Sequence, residues 1–278
     1  MSELADLLDD LRDESDQLDL ILGELEAERW STGTPADGWT VAYQIAHLAW
    51  TDEAALLAVT DPERFNGDLL AVVAAAPDPY ALVDDGAAEG AALPPGRLLD
   101  RWRTGRTALA RALADAPAGH RFPWFGPPMS VGAMATARIM ETWAHGQDVV
   151  DALGVRRPPS PRLRHVAWIG ARARGFAYAA HGLTAPGEEF RLELTLPEGA
   201  GTWTYGPPDA AQRVTGPLLD FCLLAVQRAH RDDLSLRAEG SDADQWLDIV
   251  QAFAGPAGPG RAPRPQSPRA QSPRPKGA

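Results

Sequence analysis

Met140-Glu141-Thr142-Trp143-Ala144-His145-Gly146-Gln147-Asp148 lies within a run from Val131 to Leu153 that reads as a long helix. Ser130 stands where a side-chain cap is wanted, and Gly154, with two prolines soon after, marks the end. Four residues apart on such a helix, Glu141 and His145 project from one face, one turn apart. Met134, Ala137 and Arg138 share or border that face, and Ile139, Val149 and Ala152 flank it. A face with such neighbours turns toward other helices. A carboxylate there is costly unless it is paired, hydrogen-bonded or bound to metal.

Three more helices of the same kind precede it. Over residues 3–28, Leu4, Leu7, Leu8, Leu11, Leu18, Ile21, Leu22 and Leu25 recur at helical spacing with acids between them. A Gly/Pro turn follows at 33–39, and Thr40 can cap a second, largely apolar helix over 41–60. Residues 61–96 carry scattered Pro and Gly and read as a partly helical connection. A third helix runs from near Pro95 to Ala116, with Leu98, Trp102, Leu109 and Leu113 as its apolar stripe and Pro117 as its stop. Residues 120–128 form an aromatic loop. Four long amphipathic helices predict a bundle, and a fifth helix is expected over 161–180.

Beyond Phe190 the texture changes. Phe190, Leu192, Leu194 and Leu196 alternate with Arg191, Glu193 and Thr195, the pattern of a half-buried strand. Short strands are expected at 201–206, 211–215 and 234–238. Helices are expected at 217–228 and 242–254, the last capped by Ser241. The chain therefore reads as α+β: a helical bundle over 1–182, a small α+β domain over 183–254 and a tail over 255–278. The tail is Pro-rich, repeats Gln-Ser-Pro-Arg, and is expected to be disordered because it has too few apolar side chains to build a core.

Composition narrows the function. Of 278 residues, 45% are apolar and 23% charged, as in ordinary globular proteins. No apolar run approaches the roughly 18 residues of a membrane span. The acidic start lacks the form of a secretory signal, so the cytoplasm is the expected location. Net charge is −12, and the tail carries five basic residues and no acid, leaving −17 for the body. Such a balance argues against nucleic acid as a partner. Cys222 is the single cysteine, so neither an internal disulfide nor a thiolate cluster can form. It sits in an apolar helix and reads as an inert core residue.

On the second helix, His47 lies in the apolar string Ile45-Ala46-His47-Leu48-Ala49-Trp50, with Tyr43, Trp50 and Thr51 on its face. Two His and one carboxylate would give three ligands and an open fourth position, the pattern of a catalytic metal site. Asp148, three residues past His145, could accept the second ring N–H of that histidine. Spacing alone leaves another reading open: an exposed Glu–His pair plus a hydrogen-bonded core histidine.

These features resemble the DinB/YfiT-like metalloprotein superfamily and, within it, the actinobacterial mycothiol-dependent maleylpyruvate isomerase family. Trp39-Thr40-Val41, His47-Leu48 and Asp52-Glu53 are similar to the family's second-helix signature, and the string Glu141 to Asp148 to its fourth. Thr215-Gly216-Pro217-Leu218-Leu219-Asp220-Phe221 and the late Trp246-Leu247 helix look like its C-terminal domain. The resemblance implies a DinB-like four-helix bundle followed by a small SCP2-like α+β domain. It implies His47, Glu141 and His145 as ligands of a divalent metal, zinc foremost and nickel or iron also suited. It further implies mycothiol as cosubstrate for S-transfer to, or cis/trans isomerisation of, a small electrophile.

In the resembled isomerases an arginine of the C-terminal domain anchors an anionic substrate. Arg228 is the expected counterpart here, with Arg231 and His230 beside it; cations at a helix C-terminus are the alternative reading. His120, Phe122, Trp124 and Phe125 either line a pocket or cover the bundle end. His165 and His181 read as surface or packing residues, and Arg172 and Arg174 as a solvated face. Two other classes stay open: a hydrolase with metal-bound water and Asp52 or Glu53 as base, and a non-enzymatic small-ligand-binding protein.

Overall fold

The computed structural model describes residues 3–76, 81–117 and 119–265. The chain has a mixed helical and sheet architecture and divides into two compact units, one up to Arg172 and one from Ala173.

The first unit is built on four helices: α1 (Glu3–Gly23), α2 (Val41–Thr60), α4 (Pro95–Asp115) and α5 (Val131–Leu153), with α3 (Ala81–Ala91) beside α2 and α6 (Leu163–Arg172) beside α5. Round the bundle, α1 packs on α5 and α4, and α2 packs on the same two. Local chemistry sets the ends of the two central helices. Thr40 Oγ1 accepts from Tyr43 N, Ser130 Oγ accepts from Ala133 N, and Gly154 closes α5 in the left-handed conformation with φ 67°. The stripe Leu98, Trp102, Leu109 and Leu113 of α4 is buried, as its spacing predicts. Helix α3 lies so close to α2 that a Cβ on Gly86 would fall 2.3 Å from the Trp50 ring.

Among the described residues, two buried ion-pair groups tie the helices of the bundle together. Arg138 of α5 donates to Asp52 of α2 at 2.9 Å and to Thr51 Oγ1 at 2.7 Å, with both partners of the ion pair almost wholly buried. Glu14 of α1 receives Arg157 and Arg162, which ties the segment after α5 back to α1.

Helix α1 ends at Gly23, earlier than the expected Glu28, and a 3₁₀ turn, Ala27–Ser31, follows. The region between α2 and α3 is partly helical, with a π-helical stretch at Phe65–Leu70. The aromatic loop contains a two-residue antiparallel ladder, β1 (Arg121–Phe122) with β2 (Met129–Ser130).

The second unit holds α7 (Arg174–Ala180), β3 (Phe190–Thr195), β4 (Thr202–Tyr205), β5 (Gln212–Pro217), α8 (Leu218–Ala225), β6 (Arg237–Glu239) and α9 (Ser241–Ile249). Its sheet runs β4-β3-β5-β6, with a parallel β3–β5 pair between antiparallel edges. Phe190, Leu192 and Leu194 point inward in alternation, and Phe190 and Phe221 both meet the Trp246 ring. Cys222 is buried there, in accord with its sequence setting.

Two expectations are corrected in this region. The single helix expected over 161–180 is broken at Ala173, because α6 packs on α5 while α7 packs on α9 of the second unit. Ser241 does not cap α9. Gly240 holds the cap position, and the side-chain Oε1 of Gln212 accepts from Asp242 N and Ala243 N at 3.1 and 3.0 Å. Of the expected tail, residues 255–265 have no regular secondary structure, and Arg264 N donates to the Asp233 carboxylate. Residues 266–278 lie outside the described residues. No helix among the described residues is long and apolar enough to cross a membrane.

Candidate metal centre

Packing of α2 on α5 brings His47, Glu141 and His145 together. Glu141 Oε2 is 3.2 Å from His145 Nε2 and 3.6 Å from His47 Nε2, and the two imidazole centroids are 4.4 Å apart. One ligand atom from each residue lies within 4.8 Å of the others. All three side chains are 12–23% exposed, so the cluster is reachable from solvent. Burial alone would push the Glu141 carboxyl up. Hydrogen bonds with His145 and His47, and the charges of His145 and Arg138, outweigh it and hold the group well below the usual carboxylate range.

Two imidazoles and a carboxylate suit zinc and other borderline divalent ions. The spacing suits them too. Ligand atoms about 2.1 Å from one ion at tetrahedral angles stand roughly 3.4 Å apart, and the observed 3.2 and 3.6 Å bracket that value. A divalent cation therefore fits these residues as they stand.

Aromatic rings wall the cluster. The Trp39 ring lies 5.3 Å from His47 and stacks 5.8 Å from His145, and Tyr43 tilts against Trp39 at 4.7 Å. Tyr43 donates its hydroxyl to Asp84 O. Burial, with the charges of Asp84 and Asp85, raises that phenol above its ordinary value.

The second nitrogen of His145 meets a residue the sequence did not single out. Nδ1 is 2.5 Å from Gln44 Oε1, so Gln44 takes the role expected of Asp148. Gln44 is one turn ahead of His47 on the same helix, which is the local signal for it. Its partner, however, is 101 positions away in the chain.

The other candidates fall elsewhere. Glu53 is held in a bidentate pair by Arg101, and Asp52 by Arg138. Phe122 is buried at the bundle end, and Trp124 and Phe125 pack on Phe65, so the aromatic loop covers that end. His120 tilts against Phe122. His165 bonds Asp10, while His181 is exposed. In the second unit, Arg228 Nη1 donates to Val226 O at 2.7 Å, and Arg231 is engaged by Asp244 and Asp248. His230 Nδ1 accepts from Asp232 N.

Residues 11–150 match the family model described as the mycothiol maleylpyruvate isomerase N-terminal domain. The chain belongs to this family. The isomerase N-terminal domain spans α1 to α5 here and includes all three clustered residues. A second family model, described as wyosine base formation, matches residues 186–239 in the sheet unit. Uncharacterized proteins of two Mycobacterium tuberculosis strains, CDC 1551 and H37Rv, are each 52% identical over 261 residues, covering 94% of this chain and 100% of the relative.

Two solved structures share the fold. One is a crystal structure of the mycothiol-dependent maleylpyruvate isomerase, with a TM-score of 0.55 and 19% identity over 82% of this chain and 90% of that one. The other is a histidine-to-alanine variant of such an isomerase, with a TM-score of 0.57 and 18% identity over 85% of this chain and 93% of that one.

Proposed function

We propose that this chain is a metal-dependent enzyme that uses mycothiol to isomerise a small electrophile or to join it to the thiol by S-transfer, with His47, Glu141 and His145 holding the cation. The observation that carries the proposal is the convergence of these three ligand atoms within 4.8 Å in a chain of the isomerase family. Bound there, a divalent cation such as zinc supplies Lewis acidity that favours the thiolate form of a thiol at neutral pH.

The protein's own residues do the rest. Glu141, whose carboxyl is held below the usual carboxylate range, would offer its negative charge to the cation. Trp39 and Tyr43 stand beside the cluster and would limit the water around a bound cation. The thiol has to come from outside, because Cys222 is buried in the second unit. Arg228 is proposed to anchor an anionic substrate. Hydrolysis by metal-bound water is disfavoured by the state of its expected bases, since Asp52 and Glu53 are both committed to arginines.

The test is metal analysis followed by incubation of metal-loaded protein with mycothiol and a panel of electrophiles that includes maleylpyruvate. Near-stoichiometric metal, lost in the His47→Ala, His145→Ala variant, and an isomerised product or S-conjugate are expected. Metal that persists in the double variant means the ligands are others. Absence of both mycothiol binding and product across the panel overturns the function. Arg228→Ala is expected to raise KM for an anionic electrophile and leave that for a neutral one unchanged, with Arg228→Lys recovering part of the loss.

A further inference from the structure

A neutral imidazole carries one proton on either ring nitrogen, and a histidine that ligates through Nε2 must carry it on Nδ1. A short relay that begins at a backbone carbonyl makes this choice for His145. In the turn before α2, Thr34 N donates to Trp39 O at 2.7 Å, and Thr34 Oγ1 donates to the same oxygen at 2.9 Å. A hydroxyl has one hydrogen, so Thr34 Oγ1 is left as an acceptor. Gln44 Nε2 donates to it at 2.9 Å.

The Gln44 amide is thereby turned with its nitrogen toward Thr34 and its oxygen toward His145. Oε1 can only accept, so the 2.5 Å contact to Nδ1 is an N–H donated by the histidine. Nδ1 therefore carries a proton, and Nε2, the nitrogen that faces Glu141, is the one left for a cation to take in place of its hydrogen bond to the carboxylate. Gln44 is wholly buried, so water does not compete for either end of its amide. His47 differs: its Nδ1 is buried without a hydrogen-bond partner.

We infer that Gln44, oriented by Thr34, is a positioning residue that sets the tautomer of His145 and thereby prepares one of the two imidazoles as a ligand in advance. The inference rests on the cation-binding reading of the cluster. Outer-shell partners of metal-bound histidines typically contribute about 10–100-fold to affinity.

Competition for Zn2+ against a chromophoric chelator, on the full chain, tests the affinity. Gln44→Leu is expected to weaken Zn2+ binding by about 10–100-fold. Gln44→Glu, which keeps an oxygen against Nδ1, should stay much closer to wild type. Thr34→Val, which frees the amide to turn over, should lose affinity with Gln44 intact, and it serves where Gln44→Leu does not fold. A second readout needs no metal. The imidazole 15N shifts of His145 above pH 8 should report Nδ1–H in wild type and lose that preference in Gln44→Leu and Thr34→Val, which a purely structural role would not cause.

Wild-type Zn2+ affinity in both Gln44→Leu and Thr34→Val, or an Nδ1 of His145 that carries no proton in the metal-free wild-type protein, overturns the inference. Failure of wild type to take up Zn2+ overturns the cation-binding reading instead, and the nitrogen shifts still decide whether the relay sets the tautomer.

Discussion

At the scale of single residues, charge inside the bundle is tolerated only because it is paired. Burial raises the Asp52 carboxyl, and Arg138 opposes this by charge and hydrogen bond. Arg138→Met would strand that carboxylate in the core, so a loss of about 3–5 kcal/mol is expected by urea denaturation. Asp52→Leu combined with Arg138→Met should recover most of it, because the penalty belongs to the stranded charge rather than to the missing pair. A double variant as unstable as the single would show that the pair itself is the source of stability.

His165 gives a pH dependence of known sign. Burial lowers its imidazole below 6.5, with the Asp10 hydrogen bond opposing and the Arg164 charge assisting. The unfolded chain then takes up its proton at higher pH than the folded one. The stability tied to the neutral ring is present above the unfolded value and lost as pH falls through it toward the folded value. Between pH 7.5 and 5.5, wild type should lose more stability than His165→Asn; parallel slopes for the two proteins would refute this.

At the scale of elements, helix ends were legible wherever a local signal sets them. Thr40, Ser130 and Gly154 are such signals, and α2 and α5 begin and end where they indicate. The end of α1 was not legible, because Leu25 continues the apolar stripe and still packs on the core after the chain has left the helix. Periodicity reports burial, and here burial outlasts helicity.

The cap of α9 was hidden for a different reason: Gln212 reaches it from a strand about thirty residues earlier. Gln212→Ala should destabilise the protein by about 1–2 kcal/mol, whereas Ser241→Ala should change little, as judged by thermal or denaturant melting. A larger effect at Ser241 would return the cap to the local residue. The candidate metal centre divides the same way. His47, Glu141 and His145 carry a pattern that sequence can offer, while Gln44 and its orientation by Thr34 depend on which helices touch.

At the scale of the whole molecule, the two units should respond differently to the cation. An ion that binds the folded bundle and not the unfolded chain stabilises it by about 2.7 kcal/mol at one hundred times Kd. Added Zn2+ should raise hydrogen-exchange protection in α2 and α5 without a matching gain in β3 and β5, and chelation should reverse it. Equal protection in both units, or none, would speak against a site confined to the bundle.

The pairing of α1 with α5 has a consequence during biosynthesis. Ribosomes add about 5–20 residues per second, so roughly ten seconds separate the emergence of the first helix from that of its partner. Throughout that interval the apolar stripe of α1 has at most α4 to pack against, because its larger partner is still unmade. Val149 and Leu153, which share a core cluster with Leu18 and Leu22, are among the last residues of the bundle to be made.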